Sequence, residues 1–129
     1  MKLTHVRLLV DDVDRAMRFY RDVLGLEVTL DAGGGIYYEL DAGDVILALF
    51  RRDLMHQMLG MGLASPSQSD PAALTFAVDD VDATARLLEE RGAALVAGPK
   101  DYEVAFLRVA HLRDPDGNLL EINAPLRSA

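Results

Sequence analysis

The sequence predicts an α+β fold made of two βαβββ modules, and an internal repeat is the first observation that predicts it. The segment from His5 to Asp14 aligns without gaps with the segment from Ala73 to Asp82, and both end in Val-Asp-Asp-Val-Asp. Each copy is followed by a helical pattern of apolar residues and then by three strand patterns separated by turn residues. At 129 residues the chain has the length of one domain, with two modules that share a core. The predicted boundaries are a first module over 1–52, a linker over 53–71 and a second module over 72–129.

The helix of each module is marked at both of its ends. Asp12 and Asp80 stand where N-caps belong, because a carboxylate there accepts hydrogen bonds from backbone N–H groups that the helix leaves free. Gly25 and Gly92 follow the helical patterns and predict where the helices end, since glycine adopts the left-handed conformation at low cost.

Three further strands follow each helix. The first module has strand patterns over 26–30, 37–40 and 45–50, and the second has them over 94–97, 104–113 and 118–123. The last two strands of each module are separated by Asp41-Ala42-Gly43-Asp44 or by Asp114-Pro115-Asp116-Gly117. Both sequences are typical of tight turns, so each module is predicted to end in a hairpin.

Side chains alternate between the two faces of a strand, which assigns each residue of the first strand to a face. Val6, Leu8 and Val10 are uniformly apolar and are expected to pack under the helix, which leaves His5 and Arg7 on the other face. Aligning Gly43 with Gly117 places Leu47 at the position equivalent to Glu121. We predict a concave ligand pocket on this mixed face. Its predicted lining is His5, Arg7, Leu9, Leu47, Leu49, Ala73, Thr75, Glu121 and Asn123.

The segment between the modules changes in composition along its length. It is rich in methionine from Met55 to Leu63 and then becomes a linker of serine and proline over 64–71. The first part predicts a short helix. Its thioethers either cover a ligand cavity or a dimer partner, or pack ordinarily against the module seam.

Composition excludes several classes of function. The chain has no cysteine, which excludes disulfides, thiolate catalysis and cysteine-ligated zinc. Its formal net charge of −8 disfavours nucleic acid and anionic membranes as partners. No apolar run approaches the length of a membrane span, and no basic-apolar signal opens the chain, so we expect a cytoplasmic protein with a small organic partner.

Three segments together resemble the vicinal oxygen chelate superfamily, which contains glyoxalase I, extradiol dioxygenases, fosfomycin-resistance enzymes and bleomycin-resistance proteins. These segments are the opening strand from His5 to Asp12, the Phe-Tyr-Arg-Asp-Val-Leu-Gly-Leu stretch over 19–26, and Arg-Asp-Pro-Asp-Gly-Asn-Leu-Leu-Glu-Ile over 113–122. The resemblance spans essentially the whole chain. It implies paired βαβββ modules in a U-shaped mixed sheet, a homodimer, and a divalent metal that chelates adjacent substrate oxygens.

In that superfamily the metal ligands stand on the first and last strands of the modules. By resemblance these positions are His5, Leu47, Ala73 and Glu121, of which leucine and alanine have no donor atom. One imidazole and one carboxylate are fewer than the three protein ligands that a catalytic metal site normally has. The loss of a histidine at position 73 also makes an extradiol dioxygenase an unlikely activity, because that iron site uses two histidines and a carboxylate.

Two roles therefore stay open for His5 and Glu121. In one role they bind a divalent metal such as zinc, nickel, manganese or iron together with a third donor, which is His111, Glu39, a residue of a partner chain or the substrate itself. In the other role they form a hydrogen-bonded pair without metal. If Arg113 pairs with Leu119 across the last hairpin, His111 falls opposite Glu121.

Arg7 likewise has two open roles. Its guanidinium binds an anionic oxygen of the ligand, or it neutralises Glu121. Tyr37 is a candidate for ligand stacking or packing.

Two functions follow. The first is a metal-independent protein of the bleomycin-resistance sort, which binds an organic ligand in the cavity between the modules. The alternative is a metal-dependent lyase or isomerase of the glyoxalase sort, in which Glu121 and Arg7 are the catalytic residues.

Overall fold

The repeated pattern of the sequence forms two mixed sheets of four strands, one in each half of the chain. The computed structural model describes residues 2–58 and 72–126. The chain divides into two units, Met1–Ser67 and Gln68–Ala129. The predicted α+β class and the βαβββ order of both modules are confirmed.

The first unit has its strands in the order β1-β4-β3-β2, with β1 parallel to β4 and the other pairs antiparallel. A π-helical turn over Phe19–Val23 extends its first helix. Its elements are β1 His5–Val10, α1 Val13–Arg18, β2 Glu27–Asp31, β3 Tyr37–Asp41, β4 Ile46–Arg51 and α2 Arg52–Met58.

The second unit repeats this topology with the order β5-β8-β7-β6. Its elements are β5 Ala73–Ala77, α3 Val81–Glu90, β6 Leu95–Tyr102, β7 Leu107–Arg113 and β8 Leu119–Pro125. β6 runs five residues beyond the predicted strand, because the ladder continues past Gly98-Pro99 through shifts in register. β7 begins three residues later than predicted, because a 3₁₀ turn over Glu103–Ala105 precedes it.

Both predicted N-caps are confirmed. The Asp12 side chain accepts a hydrogen bond from the backbone N–H of Arg15, and the Asp80 side chain accepts one from the N–H of Ala83, both at 3.0 Å. Each cap satisfies one of the donors that the first helical turn leaves unpaired.

The core of each unit lies between its helix and one face of its sheet. Leu40 and Leu49 are fully buried in the first unit, as are Leu112 and Leu120 in the second. Leu120 and Ile122 take the inward face that the alternation predicts. We call the opposite face of each sheet, away from α1 or α3, the distal face.

The predicted short helix between the modules is confirmed in part. It covers Arg52–Met58 as α2, which packs against β4 and β1. The remainder of the methionine-rich stretch, with Leu59, Met61 and Leu63, and the serine-proline linker up to Pro71 lie outside the described residues. No helix in the described part of the chain has the length and apolarity needed to cross a membrane.

Candidate functional site

The distal face of the first unit carries a polar cluster that reaches across three strands. His5 on β1 places its Nε2 atom 3.1 Å from Oε2 of Glu39 on β3, and its Nδ1 atom 2.8 Å from Oγ1 of Thr4. The Tyr37 hydroxyl donates a hydrogen bond of 2.6 Å to the same Glu39 oxygen. The contact is diagonal across β4, since His5 pairs with Ile46 and Glu39 pairs with Ala48.

Arg7 lies beside this cluster on the same face. Its guanidinium carbon is 5.5 Å from the centroid of the Tyr37 ring, within the range of a cation–π contact. Burial and the hydrogen bond to Glu39 raise the pKa of Tyr37, while Arg7 acts in the opposite direction through its own hydrogen bond to the tyrosine. Arg7 forms no ion pair with a carboxylate of its own unit among the residues that the structure describes.

The distal face of the second unit carries a tighter cluster on two neighbouring strands. His111 on β7 stands directly opposite Glu121 on β8, and its Nε2 atom lies 2.8 Å from Oε1 of Glu121. The Asn123 amide donates a hydrogen bond of 2.9 Å to Oε2, the other oxygen of Glu121. Arg113 pairs with Leu119, which is the register that brings His111 opposite Glu121.

The placement of Leu47 and Leu49 in the ligand pocket was wrong. Leu47 pairs with Val6 and Leu49 pairs with Leu8, so both face α1, with 3% and 0% of their surface exposed. The residue equivalent to Glu121 is Ala48, because it pairs with Arg7 as Glu121 pairs with Thr75.

The physical reason is the length of the hairpin loop. Four residues separate the last paired residues of the first hairpin, Asp41 and Ile46, whereas five separate Arg113 and Leu119 in the second. Gly43 and Gly117 therefore do not occupy equivalent places, and a shift of one residue moves every side chain of a strand to the other face. Both turn motifs in the sequence have four residues, so they do not show the extra loop residue of the second hairpin.

The other residues that were predicted to line the pocket lie on the faces that strand alternation assigned to them. Leu9 lies on the distal face of the first unit, paired with Phe50. Ala73, Thr75 and Asn123 lie on the distal face of the second, where Thr75 pairs with Glu121 and Ala77 pairs with Asn123.

The metal donors of either unit do not by themselves make a complete site. Each cluster joins one imidazole to one carboxylate, and both carboxylates already accept two hydrogen bonds from side chains of their own unit. Among the described residues, no group of three or more histidine and carboxylate side chains is placed to hold a metal ion. His5 and Glu121 belong to different units, and their joint role stays a prediction.

A cavity of about 390 Å³ lies in the second unit, at the N-terminal end of α3. The sequence did not predict it. Its polar lining consists of aspartates and Arg108, whose guanidinium binds Asp82 through two hydrogen bonds of 2.6 and 2.8 Å and Asp101 through one of 2.8 Å. These aspartates raise the pKa of Arg108, and because both sides of its guanidinium are engaged, the cavity is a weaker candidate than the distal faces.

Two βαβββ modules in tandem, with polar clusters on the distal faces of their sheets, define the class of protein to which this chain belongs. A model of the glyoxalase/bleomycin resistance protein/dioxygenase superfamily matches residues 2–122, and the chain is a member of that superfamily. The resemblance drawn from the sequence is thereby confirmed.

Individual relatives match over most of the chain. The chain is 38% identical to the uncharacterized protein YraH of Bacillus subtilis, over 95% of this chain and 97% of that protein. It is 27% identical to the glutathione transferase FosA of Serratia marcescens, over 94% of this chain and 79% of that protein. Among solved structures, it is similar to TnmS3, an antibiotic binding protein from a Streptomyces species, with a TM-score of 0.74 and 28% identity over 97% of this chain and 96% of that one.

Proposed function

We propose that the protein binds a small organic molecule at the distal faces of its sheets, without a bound metal. The observation that carries this proposal is the state of the two candidate metal carboxylates. Glu39 accepts hydrogen bonds from His5 and Tyr37, and Glu121 accepts them from His111 and Asn123. A metal ion bound by Nε2 of His5 or His111 would have to break the hydrogen bond of that atom to its glutamate, whereas an uncharged or anionic ligand leaves it in place.

The character of the distal faces supports the same proposal. Small and apolar side chains surround the polar clusters, including Ala48, Ala73 and Leu9. A few polar groups within an apolar lining are typical of sites that bind small organic molecules. TnmS3, whose structure is similar over nearly its full length, is described as an antibiotic binding protein.

A thermal-shift screen with drug-like and aromatic compounds tests this proposal. The screen is run on the full chain in the presence of a chelator, and again after loading with zinc, nickel, manganese or iron. We expect compounds that raise the melting temperature equally under all conditions, because a ligand that binds only the folded state stabilises it. Metal analysis of the same samples is expected to find much less than one ion per chain.

Matched variants make the screen specific. Glu121→Gln and Glu39→Gln retain the size of these side chains and one carbonyl acceptor, but they remove the negative charge that favours metal binding. We therefore expect ligand binding to persist in both variants. Asp44→Asn, in the loop between β3 and β4, is the control for the loss of one negative charge. Binding that appears only after metal loading and disappears in Glu121→Gln would contradict the proposal.

The metal-dependent lyase or isomerase is the second candidate. The contact of 2.8 Å between His111 and Glu121 favours it, because an imidazole and a carboxylate on one face are suited to proton transfer. Similarity to the glutathione transferase FosA also favours an enzyme. One tightly bound ion per chain, lost in both Glu121→Gln and His5→Ala, would establish this candidate over the first.

A cytoplasmic location and a homodimer complete the proposal. The resemblance implied the dimer, and its test is the molecular mass in solution by light scattering. A mass of a single chain at all concentrations would contradict it.

A further inference from the structure

Arg7 lies on the distal face of the first unit as a cation without an ion-pair partner among the described residues of that unit. Arg51 and Arg108 of the described residues bind aspartates through two or more hydrogen bonds, at 2.6 to 3.0 Å. Arg7 is exposed and instead lies at the Tyr37 ring. One of its N–H groups is used by the Tyr37 hydroxyl, and the others stay available for an anion, while contact with the ring reduces the side-chain entropy lost on binding.

The carboxylate on this face does not neutralise Arg7 directly. Glu39 uses its Oε2 atom for His5 and Tyr37, and it makes no ion pair with Arg7. The Tyr37 hydroxyl, which contacts both Glu39 and Arg7, is held in place between them. The face therefore presents a guanidinium next to a fixed phenol.

An aromatic and apolar wall adjoins this cation. The Tyr37 and Phe50 rings are in edge-to-face contact, with centroids 6.0 Å apart and planes at 74°. Leu9 pairs with Phe50 in the neighbouring strand, and both side chains are only half-buried. Surfaces of this kind bind flat apolar rings well, because aromatic contacts combine large area with a defined geometry.

The equivalent place in the second unit lacks the cation. Thr75 occupies the position of Arg7 in the repeat, and it pairs with Glu121. An anionic group is therefore attracted to the position of Arg7 in the first unit and not to the equivalent position in the second. We propose that the ligand is an aromatic molecule with an anionic oxygen group, such as a carboxylate, sulfonate or phenolate, and that Arg7 binds this group while Tyr37, Phe50 and Leu9 contact the ring. This inference rests on the proposed small-molecule function and specifies the class of ligand.

Two fluorescent probes that differ only in the anionic group test the inference. Anilinonaphthalene sulfonate carries the sulfonate, and N-phenylnaphthylamine is its uncharged parent. The chain contains no tryptophan, so the probe signal is free of tryptophan emission. We expect the full chain to bind the sulfonate at least about tenfold more tightly than the parent, as one or two charge-assisted hydrogen bonds allow.

Variants then assign the difference to Arg7. In Arg7→Gln we expect the affinity for the sulfonate to fall about tenfold and the affinity for the parent to stay unchanged. Unchanged binding of the parent also shows that the variant remains folded. Arg21→Gln is the matched control, since Arg21 is an exposed arginine outside the distal face and pairs with Asp22. It should bind both probes as the original chain does.

Three outcomes would overturn the inference. The first is equal affinity of the original chain for the two probes. The second is an equal loss of affinity for both probes in Arg7→Gln. The third is the absence of saturable binding of either probe. The proposed function is decided separately by the thermal-shift screen, where metal-independent hits without an anionic preference would support it while refuting this inference.

Discussion

The two modules have the same topology, yet they stabilise equivalent parts with different side chains. In the first module, the cluster on the distal face joins β1 to β3 across Ala48. In the second, Glu121 occupies the position of Ala48. It is hydrogen-bonded to His111, directly opposite on β7, and to Asn123, two residues further along β8. The repeat therefore determines where a polar cluster forms, while single substitutions decide which strands it connects.

The helix of each module is also tied to its sheet in two different ways. Asp14 and Asp82 are equivalent aspartates in the first turn of their helices. Asp14 accepts a hydrogen bond of 2.6 Å from the buried Tyr38, whereas Asp82 binds the half-exposed Arg108. The first tie is a hydrogen bond from a buried, uncharged hydroxyl to a carboxylate, and the second is an ion pair at the surface. We therefore expect the stability that each tie contributes to depend differently on pH and salt.

The largest effect is expected in the cores, where the two modules are most alike. Leu40 and Leu112 are both fully buried and pair with Leu47 and Leu120 at equivalent places in their sheets. Leu40→Ala and Leu112→Ala should each lower the free energy of unfolding by about 2–5 kcal/mol, because each leaves a cavity in a closely packed core. Urea unfolding followed by circular dichroism measures this loss.

The exposed Leu30 provides the control for this comparison. Leu30→Ala should change the stability by less than about 0.5 kcal/mol, because 44% of its surface is already exposed. A loss below about 1 kcal/mol in only one of the two core variants would show that the modules contribute unequally to the cooperative unit.

An intermediate effect is expected in the hairpin loops, where the modules differ by one residue. Asp114 is only 5% exposed and accepts hydrogen bonds from the backbone N–H groups of Asp116 and Asn118 and from the Asn118 amide. Asp114→Ala should cost about 1–3 kcal/mol, because it leaves these donors unsatisfied. Asp41 is exposed and accepts one bond, from the N–H of Gly43, so Asp41→Ala should cost less than about 1 kcal/mol.

The two loop variants are compared by thermal unfolding at the same pH. Equal losses would contradict the prediction, because they would show that the longer loop depends on its buried aspartate no more than the shorter loop depends on Asp41.

The smallest effect is expected at the helix ties, and it depends on pH. The hydrogen bond to Asp14, followed by burial, raises the pKa of Tyr38 from 10.0 to about 12. Because the unfolded chain loses this proton first, the stability that the tie contributes is complete below pH 10 and is lost as the pH rises towards about 12. Tyr38→Phe should cost about 1 kcal/mol at neutral pH and should flatten this alkaline decline.

Arg108→Gln is the matched change in the second module. It should cost less than about 1 kcal/mol at low salt and still less at high salt, since the ion pair is partly exposed. Chemical unfolding across pH 8–12 and across a salt series, run in parallel on both variants, separates the two ties. An alkaline decline in Tyr38→Phe as steep as that of the original chain would refute the assignment to Tyr38.

Much of the fold was predictable because its signals are local. Asp12 and Asp80 cap their helices through side chains that reach only three residues along the chain. The apolar alternation that places Leu120 and Ile122 inward likewise depends on the geometry of one strand. The hairpin partner of Glu121 was also accessible, since assuming one register was enough to bring His111 opposite it.

The candidate site was less predictable because its geometry depends on pairings between strands. Ala48 and Leu47 are neighbours in the sequence, and only the register of the first hairpin decides which of them shares a face with His5. The partner of His5 within its unit, Glu39, lies two strands away, on the far side of β4.

By itself, the sequence determined that this protein has two βαβββ modules of a known superfamily, with capped helices, alternating strands and too few metal donors at the superfamily positions. Only the tertiary structure decided which residues of the first unit share its distal face, that His5 is paired with Glu39, and that Arg7 lies against Tyr37. The reason is that helix caps and alternation are properties of a continuous segment, whereas register and side-chain partners depend on loop length and on which strands become neighbours.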